Sequence, residues 1–397
     1  MVSTLTASSN SVRSSPVLVT WGESRMALAA TRALGRAGIA TAVLAEKMWA
    51  PAFASRHCTE AIEAPDADRG EPYLRVLESL AASKRYSGLF FCDDRSALLV
   101  GRQRERFISR LPFLLPDQEN LELTVNKHAM MEFARRAAIP IPATAIPESV
   151  DDVVHAVRGM RYPLVVKGSG GFGSRHLRVV DSLEHATEAF ARLQLEQVAS
   201  GYGEAPHVQE WVQGPVFSAL ALCDRGDPVA LFLMRKRRTF PAWGGPCIDA
   251  VSVDDPDLRR AALYFLAQLP WHGIIEIEFI RDDRDGRFLL VEPSPDPNWG
   301  LDLANHAGIN FPALAWHLMQ GVRPGPAQTK YKVGERFVWL LPEGAQHIAA
   351  HPRSAGALIG AALNPFVGSD LRQDDLRATA RMAKLMVWAL REDARRP

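Results

Sequence analysis

Short apolar runs alternate with amphipathic helical stretches at the start of the chain. Pro16 to Thr20 reads as a buried strand, Met26 to Gly38 as a helix and Thr41 to Leu44 as a second strand. Trp21, Gly22, Glu23 and Ser24 form the strand-to-helix turn, and Gly38 sits where a helix commonly ends. This pattern predicts a parallel, doubly wound sheet. Gly88 to Cys92 is a further strand that runs into Asp93, Asp94 and Arg95, at the end of the strand where open α/β sheets hold ligands. N-capping of a following helix by Asp93 or Asp94 is an equal alternative.

After Val125 the pattern changes. Asn126 and Lys127 open a helix through Arg136, which Ile139, Pro140, Ile141 and Pro142 stop. Pro163 to Lys167 and Leu177 to Val180 frame a hairpin whose tip is the glycine-rich segment Gly168 to Ser174. Strand signals recur at His207–Val212, Ser218–Leu222, Val229–Met234, Ile274–Ile280 and Phe288–Val291, with one helix between Pro256 and Leu269. Hairpins with few intervening helices predict an α+β domain. The expected organisation is a disordered tail over 1–15, an α/β domain over 16–120, an α+β domain over 121–325 divided at 206/207, and an extension over 326–397. That extension carries a strand-like Arg336–Leu341 and a helix from Asp374 to Glu392. The helix is expected to pack on the body or on a second subunit, which would make a homodimer, in preference to a membrane surface.

Composition narrows the classes. With 46 Lys and Arg against 45 Asp and Glu the net charge is +1, so no overall field favours nucleic acid or an anionic membrane. Cys58, Cys92, Cys223 and Cys247 stand far apart without zinc-ligand spacing. No apolar run is long enough to span a bilayer and the first residues lack the core of a secretory signal, so a cytoplasmic protein is expected.

Two constellations carry chemistry. The first is Lys167 followed by Gly168, Ser169, Gly170, Gly171, Phe172, Gly173 and Ser174. Small residues let backbone N–H groups surround phosphate oxygens and the lysine adds a point charge, which suggests a nucleoside triphosphate; a merely flexible hairpin tip is the alternative. The second is the alternation Glu276, Glu278 before a turn and Glu292 after it. A turn centred on residue 285 sets Glu278 opposite Glu292, an arrangement that destabilises a sheet unless a cation lies between them. Magnesium suits that position, held by one or two carboxylates plus phosphate oxygens, with Glu276 as the fallback ligand. The alternative is a solvated face paired with Arg281 or Arg287. The run Arg235, Lys236, Arg237, Arg238 offers bidentate contacts to a triphosphate or a substrate carboxylate. Phe240 and Trp243 lie nearby, but one basic cluster on a neutral chain does not indicate nucleic-acid binding.

In order along the chain these motifs resemble the ATP-grasp superfamily, in particular the carboxylate–amine ligases of its carbamoyl-phosphate-synthase-like branch. The similarity runs from about Pro16 to Gly321. It rests on Asn126-Lys127, the Lys167 strand and glycine loop, Gln209 to Val212 before Gly214, Arg235 to Arg238 with Pro241 and Gly244-Gly245, and Trp271-His272-Gly273 leading to Glu278-Phe279. The resemblance implies an N-terminal doubly wound parallel sheet followed by an ATP-grasp domain of two α+β subdomains. It implies that Lys127 and Lys167 contact ATP, that Gly168, Ser169, Gly170, Gly171, Gly173 and Ser174 close over its phosphates, and that Gln209, Glu210, Trp211 and Val212 hold adenine. Glu278 and Glu292 would hold Mg²⁺, with Ser294 at the position of a third ligand, and Arg235, Arg238 and Asp296 are the catalytic candidates. The implied reaction activates a small carboxylate, an amino acid being the first choice, as an acyl phosphate for capture by an amine.

The chain departs from the family pattern in two places. Ser294 stands where the family has an Asn metal ligand, and Asp296 where it has an Arg. Asp296 is thus a candidate replacement ligand or amine-recognition group, with Asn298 within reach. Val216 and Phe217 stand where related enzymes place an acid for the ribose. A fold that binds nucleotide or a pathway partner without turnover is therefore the second expectation. A dinucleotide-dependent dehydrogenase is disfavoured, because no GxGxxG follows the first strand.

Overall fold

The computed structural model describes residues 15–168, 177–199, 205–242 and 244–393. The N-terminal elements are β1 (Val17–Val19), α1 (Arg25–Arg36), β2 (Thr41–Ala45), β3 (Cys58–Glu63), α2 (Glu71–Ala82), β4 (Gly88–Phe90) and α3 (Asp94–Arg102). The four strands form a wholly parallel sheet in the order β3-β2-β1-β4. Val17 and Val19 turn to the α1 face and Leu18 to the face of α2 and α3, which is the doubly wound arrangement. The edge strand β3 was not expected, because Cys58 to Glu63 alternates partly buried with exposed positions and lacks a continuous apolar run. Ser24 caps α1 by accepting from the Ala27 N–H, and Asp93 caps α3 by accepting from the Ser96 N–H.

After α4 (Gln118–Val125) and α5 (Lys127–Arg136) the chain builds a small antiparallel sheet. It contains β5 (Thr144–Ala145), β6 (Leu164–Lys167), β7 (Leu177–Val180) and β8 (His207–Glu210), in the order β5-β8-β6-β7, with α6 (Val153–Ala156) and α7 (Leu183–Ala199) on one face. Leu164, Val166, Val180 and Val208 pack with Phe190 and Leu193 into a core of its own. His207 to Glu210 thus pair with β6 and β5, not with the strands that follow them, so the small sheet runs past the expected division at 206/207.

The large sheet has seven strands in the order β13-β12-β9-β10-β11-β14-β15. They are β9 (Val216–Asp224), β10 (Asp227–Thr239), β11 (Cys247–Ser252), β12 (Gly273–Arg281), β13 (Phe288–Ser294), β14 (Arg336–Val338) and β15 (Gly368–Ser369). α8 (Pro256–Gln268) packs on the face carrying Ile275 and Ile277, while α9 (Gly300–His306) and α10 (Phe311–Met319) join α1 on the other. Gly214, at φ +152°, links the two sheets; a methyl group there would lie 1.8 Å from the Arg281 carbonyl oxygen.

The extension is part of the body. β14 pairs with β11, and α11 (Glu343–Ala350) and α12 (Ala355–Leu363) follow it. α13 (Leu376–Asp393) lies against the residues after β2, where Arg381 donates to the carbonyls of Met48 and Ala50. Among the described residues no helix is long and apolar enough to cross a membrane.

A buried ion pair ties this extension to α1. Arg32 Nε donates to Asp375 at 2.8 Å, and Asp375 also accepts from the Ser55 hydroxyl at 2.8 Å and the Arg56 N–H at 2.9 Å. Removing one partner leaves a buried charge uncompensated, so Asp375→Ala is expected to lower stability by about 3–5 kcal/mol in urea unfolding. A loss below about 1 kcal/mol would show that the pair is as weak as a surface ion pair.

Candidate functional site

The β12–β13 hairpin sets Glu278 directly opposite Glu292, and Glu276 opposite Ser294. Period-two alternation puts Ile274, Glu276 and Glu278 on one face, and Ile275, Ile277 and Phe279 in the core beside α8. Opposed carboxylates are unfavourable alone. Two lysines from other elements answer them. Lys236, buried on β10, forms an ion pair with Glu278, and Lys127, the first residue of α5, lies 4.0 Å from Glu292. Burial works against the Lys236 charge, but Glu278 and Glu276 hold its pKa above the ordinary value.

The small sheet adds a third lysine. Lys167 pairs with His207 in register, and Val165 with Gln209, so alternation brings Lys167 and Gln209 to the same face. The Lys167 ammonium donates to the Gln209 amide oxygen at 2.7 Å, and the Gln209 amide nitrogen donates to the Thr144 hydroxyl at 2.9 Å. Gln209 therefore positions this lysine. Burial, reinforced by Lys127, lowers the Lys167 pKa to about 8 although Glu292 and Glu278 oppose the shift. Lys127 also sits at the N-terminus of α5, whose cap Asn126 accepts from the Ala129 N–H. Unsatisfied N–H groups and the helix dipole favour an anion at that point.

Several expected residues are placed differently. Lys236, not Arg235 or Arg238, reaches the acids; Arg235 is exposed, and Arg238 lies farther along β10. Glu210 is buried and accepts from the Arg161 N–H at 3.0 Å and from Arg284 at 3.4 Å, which holds it across the seam between the small sheet and the β12–β13 turn. Trp211 donates its N–H to the Pro163 carbonyl. Among the described residues the N–H and C=O of buried Val212 enter no backbone pairing, so this strand end offers a donor and an acceptor for a planar heterocycle. Gly168 ends the described segment; Ser169, Gly170, Gly171, Gly173, Ser174 and Trp243 lie outside it.

Asp296 does not stand beside Glu292. It is 8% exposed, accepts from the Ser294 hydroxyl at 3.2 Å and the Asn298 N–H at 3.0 Å, and turns toward Asp94 at the start of α3. Burial, then the Asp94 charge, pushes its pKa well above the usual range. Ser294 is thereby oriented toward Asp296. Glu276 accepts from the Gly300 N–H at 3.2 Å through one oxygen, and burial raises its pKa to about 7 despite Lys236 and the Ser218 hydroxyl. Gly300 permits the contact, since a Cβ there would lie 3.2 Å from the same carboxylate oxygen.

An N-terminal parallel sheet, a small antiparallel sheet carrying a lysine, and a large sheet carrying opposed acids together define the ATP-grasp fold. In fold the chain is similar to solved ATP-grasp proteins. No family model matches it. It is 30% identical over 193 residues to pyruvate carboxylase of Bacillus subtilis, covering 46% of this chain and 16% of that protein. It is 22% identical over 247 residues to chloroplastic biotin carboxylase 1 of Populus trichocarpa, covering 57% of this chain and 45% of the relative. The chain thus spans less than half the length of these curated relatives. The solved ADP complex of purK, an N5-carboxyaminoimidazole ribonucleotide synthetase, superposes with a TM-score of 0.67 at 16% identity, over 95% of this chain and 98% of that one.

The lysine geometry makes a pH-dependent prediction. An anion beside Lys167 stabilises its charged form, so binding takes up a proton and affinity falls as pH rises through about 8. Sulfate, which does not titrate in this range, should bind with this dependence, and a lysine side-chain NMR resonance titrating near 8 should move upward when sulfate is added. Lys167→Met should remove both effects; a titration near 8 that survives in this variant would assign it to another group.

Proposed function

We propose that the chain is an ATP-dependent ligase that activates a small carboxylate as an acyl phosphate for capture by an amine, releasing ADP and phosphate. The observation that carries this reading is the Glu278–Glu292 pair surrounded by Lys127, Lys167 and Lys236. The residues fit magnesium. Two opposed carboxylates supply hard oxygen ligands, and among the described residues no group of three or more His, Cys, Asp or Glu closes into a cage of its own, so phosphate oxygens would complete the shell. When bound, Mg²⁺ offsets phosphate charge and polarises the transferred phosphoryl group.

The protein's own groups do the rest. The backbone at Val212 holds adenine, and Lys127 and Lys167 take the phosphate chain. Glu278 and Glu292 would hold the metal, and Lys236 would then serve the oxygens of the transferred phosphoryl group and the attacking carboxylate. Catalysis in this class is mostly positioning and charge stabilisation, so the lysines and acids carry it without a protein nucleophile. Relatives named as carboxylases add bicarbonate to the organic acids that merit testing.

Asp296 favours a second reading, nucleotide binding without turnover, because a buried acid facing Asp94 stands where the family pattern has a phosphate-binding Arg. One experiment separates the two. Under the ligase reading, Mg-ATP with a panel of acid and amine pairs gives pair-dependent ADP release, and Glu292→Ala reduces it by about a hundredfold or more. A thermal shift with Mg-ATP but no ADP from any pair favours the second reading. Absence of nucleotide binding removes both.

A further inference from the structure

A cavity of about 580 Å³ runs from Gly214–Val216, beside the proposed adenine site, past Lys236 to Arg238 and His347. The cations along its β10 wall are not equivalent. Lys236 is paired with Glu278. Arg237 lies 3.5 Å from Asp249, which Arg336 also binds through two nitrogens at 2.9 and 2.8 Å. Arg235 is exposed to water.

Arg238 differs from all three. Among the described residues it has no ion-pair partner, and its Nη1 is buried without an acceptor. His347, on α11 of the extension, lies beside it, packs edge-on against the Phe240 ring at 5.8 Å, and has a buried Nδ1 that is also without a partner. Two buried nitrogens left unsatisfied in the wall of one cavity are unfavourable unless a ligand supplies acceptors. A planar guanidinium beside an imidazole suits a carboxylate, which accepts from both.

Resting on the ligase reading, we propose that Arg238 and His347 form a subsite for a second carboxylate on the acid substrate, so that the acid activated here is a short dicarboxylate. The spacing fits. Lys236, where the reacting carboxylate sits in that reading, and Arg238 are two residues apart on β10, across a bulge in its pairing with β11, so their separation is at most about 6 to 7 Å. An extended five- or six-carbon diacid spans roughly 5 to 6 Å between carboxyl carbons, given C–C bonds of about 1.5 Å. Arg238 thus holds the end of the acid that does not react. It acts as a specificity group, not as a ligand of the triphosphate.

The test is calorimetric titration of the full chain, with Mg²⁺ and the non-hydrolysable ATP analogue AMP-PNP present, using glutarate and butanoate as probes. Glutarate is expected to bind at least tenfold more tightly than butanoate. Arg238→Gln should weaken glutarate at least tenfold and butanoate less than twofold. His347→Phe, which keeps the ring packing, should weaken glutarate by a smaller factor and serves as the test if Arg238→Gln does not fold. Equal binding of the two acids, or glutarate binding unaffected in both variants, overturns the proposal. So does tripolyphosphate binding, without nucleotide, that depends on Arg238, because it assigns the arginine to phosphate. Arg238-dependent glutarate binding without AMP-PNP binding would remove the ligase reading and keep the subsite. ADP release that is as fast with monocarboxylates as with glutarate, and insensitive to Arg238→Gln with glutarate, would do the reverse.

Discussion

The antiparallel register of β12 and β13 forces Glu278 and Glu292 to face each other, and this unfavourable pairing organises the groups around it. Two carboxylates opposed in a sheet repel unless a cation intervenes. The lysines that answer them come from distant parts of the chain. Lys127 begins α5, Lys167 ends β6 of the small sheet and Lys236 lies on β10. The ion pairs with Lys236 and Lys127 therefore couple the large sheet to α5, and the charge of both acids extends to Lys167. A site assembled from three separately packed elements can change shape when its charge changes. The small sheet has its own core, and Gly214 and the Glu210–Arg284 ion pair join it to the large one.

Much of this was legible in the sequence, for identifiable reasons. Counting outward from a turn centred on residue 285 gives the Glu278–Glu292 pairing, but the strands leave the turn one register off, with Phe279 opposite Leu290, and a bulge at Val291 brings Glu278 back opposite Glu292. The first strands were legible because Pro16 to Thr20 and Thr41 to Leu44 are apolar runs bounded by turn residues. β3 was hidden because an edge strand buries only part of its side chains. Lys236 was hidden for another reason. In a run of four cations both faces of the strand read alike, and only pairing of β10 with β9 and β11 decides which side chain turns toward Glu278. Glu210 could not be assigned from its own motif, because Arg161 and Arg284, which hold it, come from elements distant in sequence.

Ser294 and Asp296 illustrate the same limit. Period two puts them on one face with Glu292, which made Asp296 a candidate replacement ligand. The strand ends at Ser294, however, and the chain then turns so that Asp296 accepts from the Asn298 N–H and faces the end of β4. Alternation holds only while the ladder lasts. The replacement of Arg by Asp consequently alters the wall shared with the N-terminal sheet more than it alters the metal face. Asp94 and Asp296 form an acidic region there, and Asp93 is occupied in capping α3.

The charge arrangement constrains the order of events in the proposed reaction. Lys236 pairs with Glu278, and Lys127 lies near Glu292, so the acids and lysines partly satisfy one another. A cation arriving alone would displace lysines that then have no anion, and a triphosphate arriving alone would draw lysines from acids left facing each other. Each half-exchange leaves charge unpaired, and that of Lys236 is buried. Arrival of metal and triphosphate together completes both exchanges, giving the acids a metal and the lysines phosphate oxygens. In the proposed reaction the opposed glutamates would therefore favour the metal–nucleotide complex over either component. This selectivity arises from the backbone register, which fixes the acids in place whether or not a ligand is bound.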